Sequence, residues 1–194
     1  YFRISNKYEK MKHDHLKFYY KNKVLVFNDV RKFGFVKLYN KSDIYSSRHL
    51  INLGPDAMSK DFSIEYFYKN KERKTNIKNL LMNQNFVSGL GNIYCSEILF
   101  DSKINPSRNS YSLKRLEIEK IISSSKRILK SAIKLGGTTI KNFIVSDEKI
   151  GYFKNRLKVY GRENLVCFRC KNKNYIKKIK HSGRSTFFCS ACQL

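Results

Sequence analysis

Over the first 50 residues apolar and polar positions alternate, the period of strands with one buried face. Leu16-Lys17-Phe18-Tyr19-Tyr20 and Val24-Leu25-Val26-Phe27 read as two strands of a hairpin turned at Lys21-Asn22-Lys23. Phe33-Gly34-Phe35-Val36-Lys37-Leu38-Tyr39 reads as a further strand, ahead of a polar loop from Asn40 to Ser47. Gly54-Pro55 then breaks the alternation. From Ser59 to Leu135 apolar residues recur at threes and fours, the helical period. Ile77, Leu80 and Leu81 mark one helix and Ile93, Ile98 and Leu99 a second. Leu116, Ile118, Ile121, Ile122, Ile128, Leu129 and Ile133 mark a longer one that Gly136-Gly137 stops. A polar stretch over 138–161 leads to the C-terminal segment, where Tyr175–Lys180 and Ser185–Phe188 read as strands joined by His181-Ser182-Gly183-Arg184. That places Arg184 at or beside a hairpin tip. The class is α+β, with strands first, helices next and a hairpin last.

Composition supports a folded chain. Its 194 residues are 41% hydrophobic and 14% aromatic with two prolines, enough for a sizeable core despite 28% charged residues. Charge changes the picture more. With 40 Lys+Arg against 15 Asp+Glu the formal charge is +25 and the isoelectric point is near 9.9. Such a surface favours a polyanion, and nucleic acid gains further from release of condensed counterions. A Lys-biased, ribosomal-type surface would carry the same charge, so charge alone does not decide. No apolar run reaches the roughly 18 residues of a spanning helix, and no signal peptide is visible.

Cysteine spacing is more specific. Cys167-Phe168-Arg169-Cys170 and Cys189-Ser190-Ala191-Cys192 are two C-x-x-C pairs flanking the 18 residues 171–188. Each pair can offer two thiolates to one tetrahedral ion, and a spacer of roughly 15–20 residues is that of a zinc ribbon. Two disulfides or redox pairs are the competing reading. A module this small buries too little apolar surface to fold alone, so one structural Zn2+ is the expected cofactor. Cys95, among helical residues, reads as a small buried hydrophobe. His181 is a further ligand candidate, but four thiolates already fill a structural zinc shell and it reads as a turn residue.

Three other segments carry candidate chemistry. Gly89-Leu90-Gly91-Asn92 lies between helices, with Asn92 suited to cap the second. Exposed amides there would form a phosphate seat, although a tight helix–helix turn uses the same residues. Arg73, Lys74 and Lys78 precede it on the adjoining helix and favour a backbone clamp. Asp29-Val30-Arg31-Lys32-Phe33-Gly34 sets an aromatic among cations, which would fill the gap left by an extruded base, although alone such a segment is more often ordinary strand-end chemistry. Lys12-His13-Asp14-His15 places two imidazoles on one strand face, where they would bind metal, pack or hydrogen-bond.

In combination these blocks resemble the formamidopyrimidine-DNA glycosylase family, in its bacterial oxidised-purine branch. The resemblance runs in order through Lys12–His15, Asp29–Gly34, Leu53-Gly54-Pro55, Gly89-Leu90-Gly91-Asn92-Ile93-Tyr94, Gly136-Gly137-Thr138-Thr139, Gly151-Tyr152-Phe153, Val159-Tyr160-Gly161-Arg162 and the cysteine module. Asn-Ile-Tyr after the glycine turn favours this branch over the endonuclease-eight branch. The resemblance implies the C-terminal part of a β-sandwich over 1–54, a helix-two-turns-helix domain with a lesion loop over 55–161 and a zinc finger over 162–194. DNA would lie in the cleft between the halves. His13, Arg73 and Asn92 would contact the DNA backbone, Arg31 and Phe33 would fill the gap of the flipped base, and Lys78 would lie near the lesion or its phosphate. Arg184 would contact phosphate and assist the final elimination as a catalytic group. The implied partner is double-stranded DNA with an oxidised purine or an abasic site. No membrane partner, a monomeric state and a cytoplasmic, nucleoid-associated bacterial setting go with it.

Two departures stand out. The family's chemistry uses an N-terminal proline amine that forms a Schiff base, with an adjacent glutamate and a strand lysine, and a methionine completes the gap-filling trio. The chain opens at Tyr1 and reads as a fragment that starts after all four, so it is expected to bind DNA without glycosylase or lyase activity that the parent would have. The other departure is Ser146-Asp147-Glu148-Lys149-Ile150-Gly151, where the family commonly has glycine and proline at the positions of Glu148 and Ile150. Two further readings remain open: a non-catalytic zinc-dependent DNA-binding module, and an RNA-binding or ribosome-associated zinc ribbon.

Overall fold

The structure, a computed structural model, describes residues 1–71, 74–138, 152–170 and 174–194. Backbone contacts divide the chain into one unit of residues 1–44 with 132–156 and another of 45–131 with 157–194.

The first unit holds an antiparallel sheet of β1 (Phe2–Ser5), β2 (Asp14–Tyr20) and β3 (Lys23–Asn28) in the order β1-β3-β2. The alternation read from sequence sets the faces. Val24 and Val26 of β3 are buried, and Val26 pairs with Arg3 on one side and Lys17 on the other. Beneath that face Arg3 donates to the Asp14 carboxylate at 2.6 Å, and Asn28 Nδ2 donates to the same carboxylate at 2.8 Å. Burial pushes the Asp14 carboxyl up, but Asn28, the Met11 amide and Arg3 together hold it below the usual range. Phe33–Tyr39, expected to be a strand, belongs to none of the described strands. Its alternation has no described strand to pair with, and Phe33, Phe35 and Leu38 stay exposed. Periodicity sets which way side chains face, whereas a strand also needs a ladder partner.

In the second unit Ser63 caps α1 (Ile64–Asn70) by accepting from the Tyr66 amide, and Asn76 caps α2 (Ile77–Met82) by accepting from the Asn79 amide. α3 (Asn92–Asp101) and α4 (Arg115–Lys134) follow, the last three residues of α4 being counted with the first unit. Their apolar positions Phe67, Ile77, Leu80, Leu81, Ile98, Leu99, Ile118 and Ile121 form a core with Phe62, Phe86 and Leu90 from the connecting segments. Phe67 meets Phe86 edge-to-face at 5.0 Å. Gly54 is required where it stands, because a Cβ would fall 2.4 Å from Phe86 O. α4 ends as expected, with Gly136 and Gly137 at φ 73° and 87° and the Gly137 amide reaching back to Ala132 O at 2.8 Å. Lys74, read as helical, lies ahead of α2.

β4 (Lys177–His181) and β5 (Arg184–Phe188) form the C-terminal hairpin, packed on Phe100 and Val159 through Ile176 and Phe187. α3 is the platform. Arg169 donates at 2.8 Å to Phe100 O, which also accepts from the Lys103 amide at 3.1 Å, and its guanidinium lies over the Phe100 ring. Glu97, buried in α3, accepts from the amides of Lys158, Val159 and Tyr160 at 2.8–2.9 Å. Tyr160 in turn packs edge-on against Phe187 of β5. Gln193 ties the C-terminal segment to the Ile104 carbonyl and accepts from the Cys189 amide.

Candidate functional site

Cys167, Cys170, Cys189 and Cys192 converge, with all four Sγ atoms within 4.8 Å of one another. Sγ–Sγ separations are 3.9 Å for Cys167–Cys192 and 3.7 Å for Cys170–Cys189. A tetrahedral ion with metal–sulfur bonds of about 2.3 Å requires edges of about 3.8 Å. The residues therefore fit one four-thiolate metal ion. Cys167 and Cys189 are buried and the other two half-buried, which suits a closed structural site better than an open catalytic one. His181 takes no part: its ring bonds Thr186 Oγ1 at 3.1 Å and Ser107 Oγ at 3.2 Å.

The metal cluster holds the foot of the hairpin, and a tight turn forms its tip. His181 pairs with Arg184 across Ser182 and Gly183, both at positive φ, 46° and 75°. Two such residues in sequence are the requirement of the tightest hairpin loops, and they leave Arg184 exposed at the start of β5.

The glycine turn lies beside β5. Gly91, not Asn92, is the N-cap of α3, and it makes no side-chain cap bond. Asn92 is drawn inward as the first helical residue because stronger partners compete for its amide. Its Oδ1 accepts from Lys78 Nζ at 2.7 Å, and its Nδ2 donates to Ser185 O at 2.9 Å. The backbone around Gly91 is open, with nothing within 4 Å of where a Cβ would stand. Close backbone approach at Gly91 is thus sterically possible, as an anion seat at a helix start requires. Lys78 is 1% exposed, and burial brings its amine down to about 8. Cys95 is fully buried, as read from the sequence, and burial pushes its thiol up to about 12.

In the first unit, Asp29 organises the turn that carries Arg31 and Phe33. Its carboxylate accepts from the Gly34 amide at 2.6 Å and the Arg31 amide at 3.1 Å, and the Gly34 bond above all holds the carboxyl below its usual range. Arg31 is exposed and Phe33 is 82% exposed. A Cβ at Gly34 would stand 2.6 Å from the tip of the Phe27 ring, so a larger residue there would require that ring to shift. The histidine block folds onto the same turn: His13 O accepts from the Asp29 amide at 3.1 Å, and His15 Nε2 contacts Asp29 O at 2.9 Å. The two imidazoles are not a strand-face pair. His13 precedes β2 at φ 73°, and an irregularity between Asp14 and Leu16 takes His15 out of register. Arg73, Thr139, Gly151 and the 146–150 loop lie outside the described residues.

Sequence reasoning missed Glu97 and the Asn92–Ser185 bond. Glu97 left a signal, a carboxylate among the apolar positions of α3. The carbonyl of Ser185 left none, because its partner is 93 residues away.

A four-thiolate hairpin with an exposed arginine at its tip, docked on a helical unit beside an open glycine turn, defines a metal-stabilised DNA-binding class. Residues 53–144 match the family profile of the formamidopyrimidine-DNA glycosylase H2TH domain. Over 191 residues the chain is 43% identical to the formamidopyrimidine-DNA glycosylase of Rickettsia conorii, covering 97% of this chain and 69% of that protein. Rickettsia felis supplies a relative that is 44% identical over 190 residues, covering 96% and 67%. Among solved structures, Lactococcus lactis Fpg in complex with DNA containing an abasic site is similar at TM-score 0.89 and 34% identity, over 99% of this chain and 70% of that one. A mutant of the same protein bound to DNA containing Fapy-dG gives TM-score 0.90 with the same identity and coverage. The chain belongs to the formamidopyrimidine-DNA glycosylase family, whose members are DNA-repair glycosylases. Among the described residues no helix is long and apolar enough to cross a membrane.

Proposed function

We propose that this chain forms the DNA-gripping body of a monomeric bacterial base-excision glycosylase and abasic-site lyase that acts on oxidised purines in the nucleoid. The observation that carries the reading is the convergence in the second unit. Arg184, the Asn92 amide and the Gly91 start of α3 sit on one connected framework, joined by the Asn92–Ser185 bond and anchored by the cysteine cluster. A guanidinium, an amide donor and helix-start N–H groups are the donor types that hold DNA phosphates. His13 and Arg73 are proposed as further backbone contacts. Arg31 and the exposed Phe33 ring are suited to fill a vacated base position, because a planar aromatic replaces the lost stacking. Relatives bound to Fapy-dG, abasic and 8-oxo-G DNA support the substrate class.

The ion proposed for the cysteine cluster is one Zn2+, which all-thiolate tetrahedral sites favour. It fixes the hairpin foot and takes no chemical step. Arg184 holds the phosphate and, as it does so, stabilises charge during elimination. The covalent chemistry is assigned to the proline amine, the glutamate and the strand lysine that the resemblance supplies. Assayed by itself, this chain is proposed to bind and not to excise.

Borohydride trapping on a duplex with one abasic site tests this. It is run with the 194-residue chain and with the product of the complete reading frame that contains it. A covalent adduct is expected from the second alone. An adduct from neither refutes the lyase and leaves a zinc-dependent DNA-binding module, and an adduct from both refutes the assignment of the nucleophile.

A further inference from the structure

Lys78 is an unusual residue to bury. An ammonium loses its hydration when it is taken out of water, and only a full set of partners offsets that loss. Here the set is full and entirely neutral: Asn92 Oδ1 at 2.7 Å, Ser96 Oγ at 3.0 Å and Asn92 O at 3.2 Å. Three N–H groups meet three acceptors. Ser96 Oγ also donates to Asn92 O at 3.1 Å, which closes the network on the first turn of α3.

The bond to Oδ1 decides which way the Asn92 amide points. Turned over, the amide would set its NH2 group against the ammonium, donor against donor. With the oxygen committed to Lys78, Nδ2 must face the other way, and there it donates to Ser185 O, the peptide next to Arg184. The helix cap does not orient this amide, because Gly91 is the cap residue. At 1% exposure Lys78 has no route to a phosphate unless the site opens.

We infer that Lys78 is a positioning residue that acts through Asn92: its buried ammonium presets the Asn92 amide with the NH2 group toward the hairpin turn and an incoming DNA phosphate. The inference rests on the reading of Asn92 as a DNA-backbone contact, and it replaces a direct lesion or phosphate contact for Lys78. Burial above all lowers the Lys78 amine, and the nearby Arg184 charge lowers it further. A neutral amine would keep only two of the three N–H groups that the network uses.

The test is a double-mutant cycle of Lys78→Met and Asn92→Ala, read as affinity for an abasic-site duplex over a salt series, with melting and zinc content measured for each protein. Asn92→Ala is expected to weaken binding about tenfold, on the scale of one phosphate hydrogen bond. Lys78→Met should weaken it to a similar degree, the double variant should lose nothing more, and the salt slope should not move with Lys78→Met. Lys78→Gln, which keeps a shorter neutral donor, should recover part of the loss, and it takes the place of methionine in the cycle if that variant does not fold. Losses that multiply, or a slope that falls by about 0.9, would overturn the inference by showing that Lys78 meets a phosphate itself. If Asn92→Ala binds like the parent, the reading of Asn92 as a DNA contact fails, and the inference fails with it.

Discussion

The turn that carries Arg31 and Phe33 and the turn that carries Arg184 present similar chemistry by opposite means. The first is held locally. One carboxylate, Asp29, gathers the amides of Arg31 and Gly34, and the segment beyond it runs exposed to Leu38, outside the described strands. The second is held from a distance. Its foot is the four-thiolate cluster, its flank is the Tyr160–Phe187 contact, and its tip is tied to α3 through Asn92. A group that must adapt to an opened base stack is suited to the local support. One that must meet a phosphate at a set place is suited to the rigid one.

Breaking the remote support should have the largest effect. Cys189→Ser removes one of four thiolates, so the hairpin loses its metal and with it much of its folding free energy. Zinc content should fall to background, and affinity for an abasic-site duplex should drop about a hundredfold, the product of two lost contacts of about tenfold each. Retained zinc would show that the ligand set is wrong.

Breaking the local support should cost less. Asp29→Ala frees two amides and loosens the turn without touching the cysteines. Affinity should fall about five- to tenfold with zinc content unchanged. The same residue sets a pH expectation. The folded Asp29 carboxyl lies below its usual value, chiefly through the Gly34 amide, so its contribution is complete above the ordinary carboxylate value of about 3.9 and is lost as pH falls through the lower folded value. Binding that depends on this turn should therefore stay level between about pH 5 and 8. A decline inside that window, present in the parent and absent in Asp29→Ala, would contradict the role given to Asp29.

The contrast also explains what the sequence revealed. Local devices were legible: the β2–β3 hairpin, the Gly136-Gly137 stop, the paired C-x-x-C spacing and the buried Cys95. Each is written within a few residues by period, conformation or ligand spacing. Legibility failed where a distant partner decides. Asn92 has the composition of an N-cap, yet Lys78 and Ser185 outcompete the helix amides for its side chain. Phe33–Tyr39 has the alternation of a strand without a described ladder partner. Lys78 reads as a backbone-clamp cation near the lesion or its phosphate, and only the packing of α2 on α3 shows it to be buried.

The central claim is that the cysteine cluster holds the hairpin so that Arg184 meets a DNA phosphate. Comparing the salt dependence of abasic-duplex binding for the parent and Arg184→Ala tests it most directly. With zinc content equal in both, the slope of log affinity against log salt should be shallower by about 0.9 in the variant, one phosphate contact fewer. An unchanged slope would take Arg184 out of the interface and contradict the account.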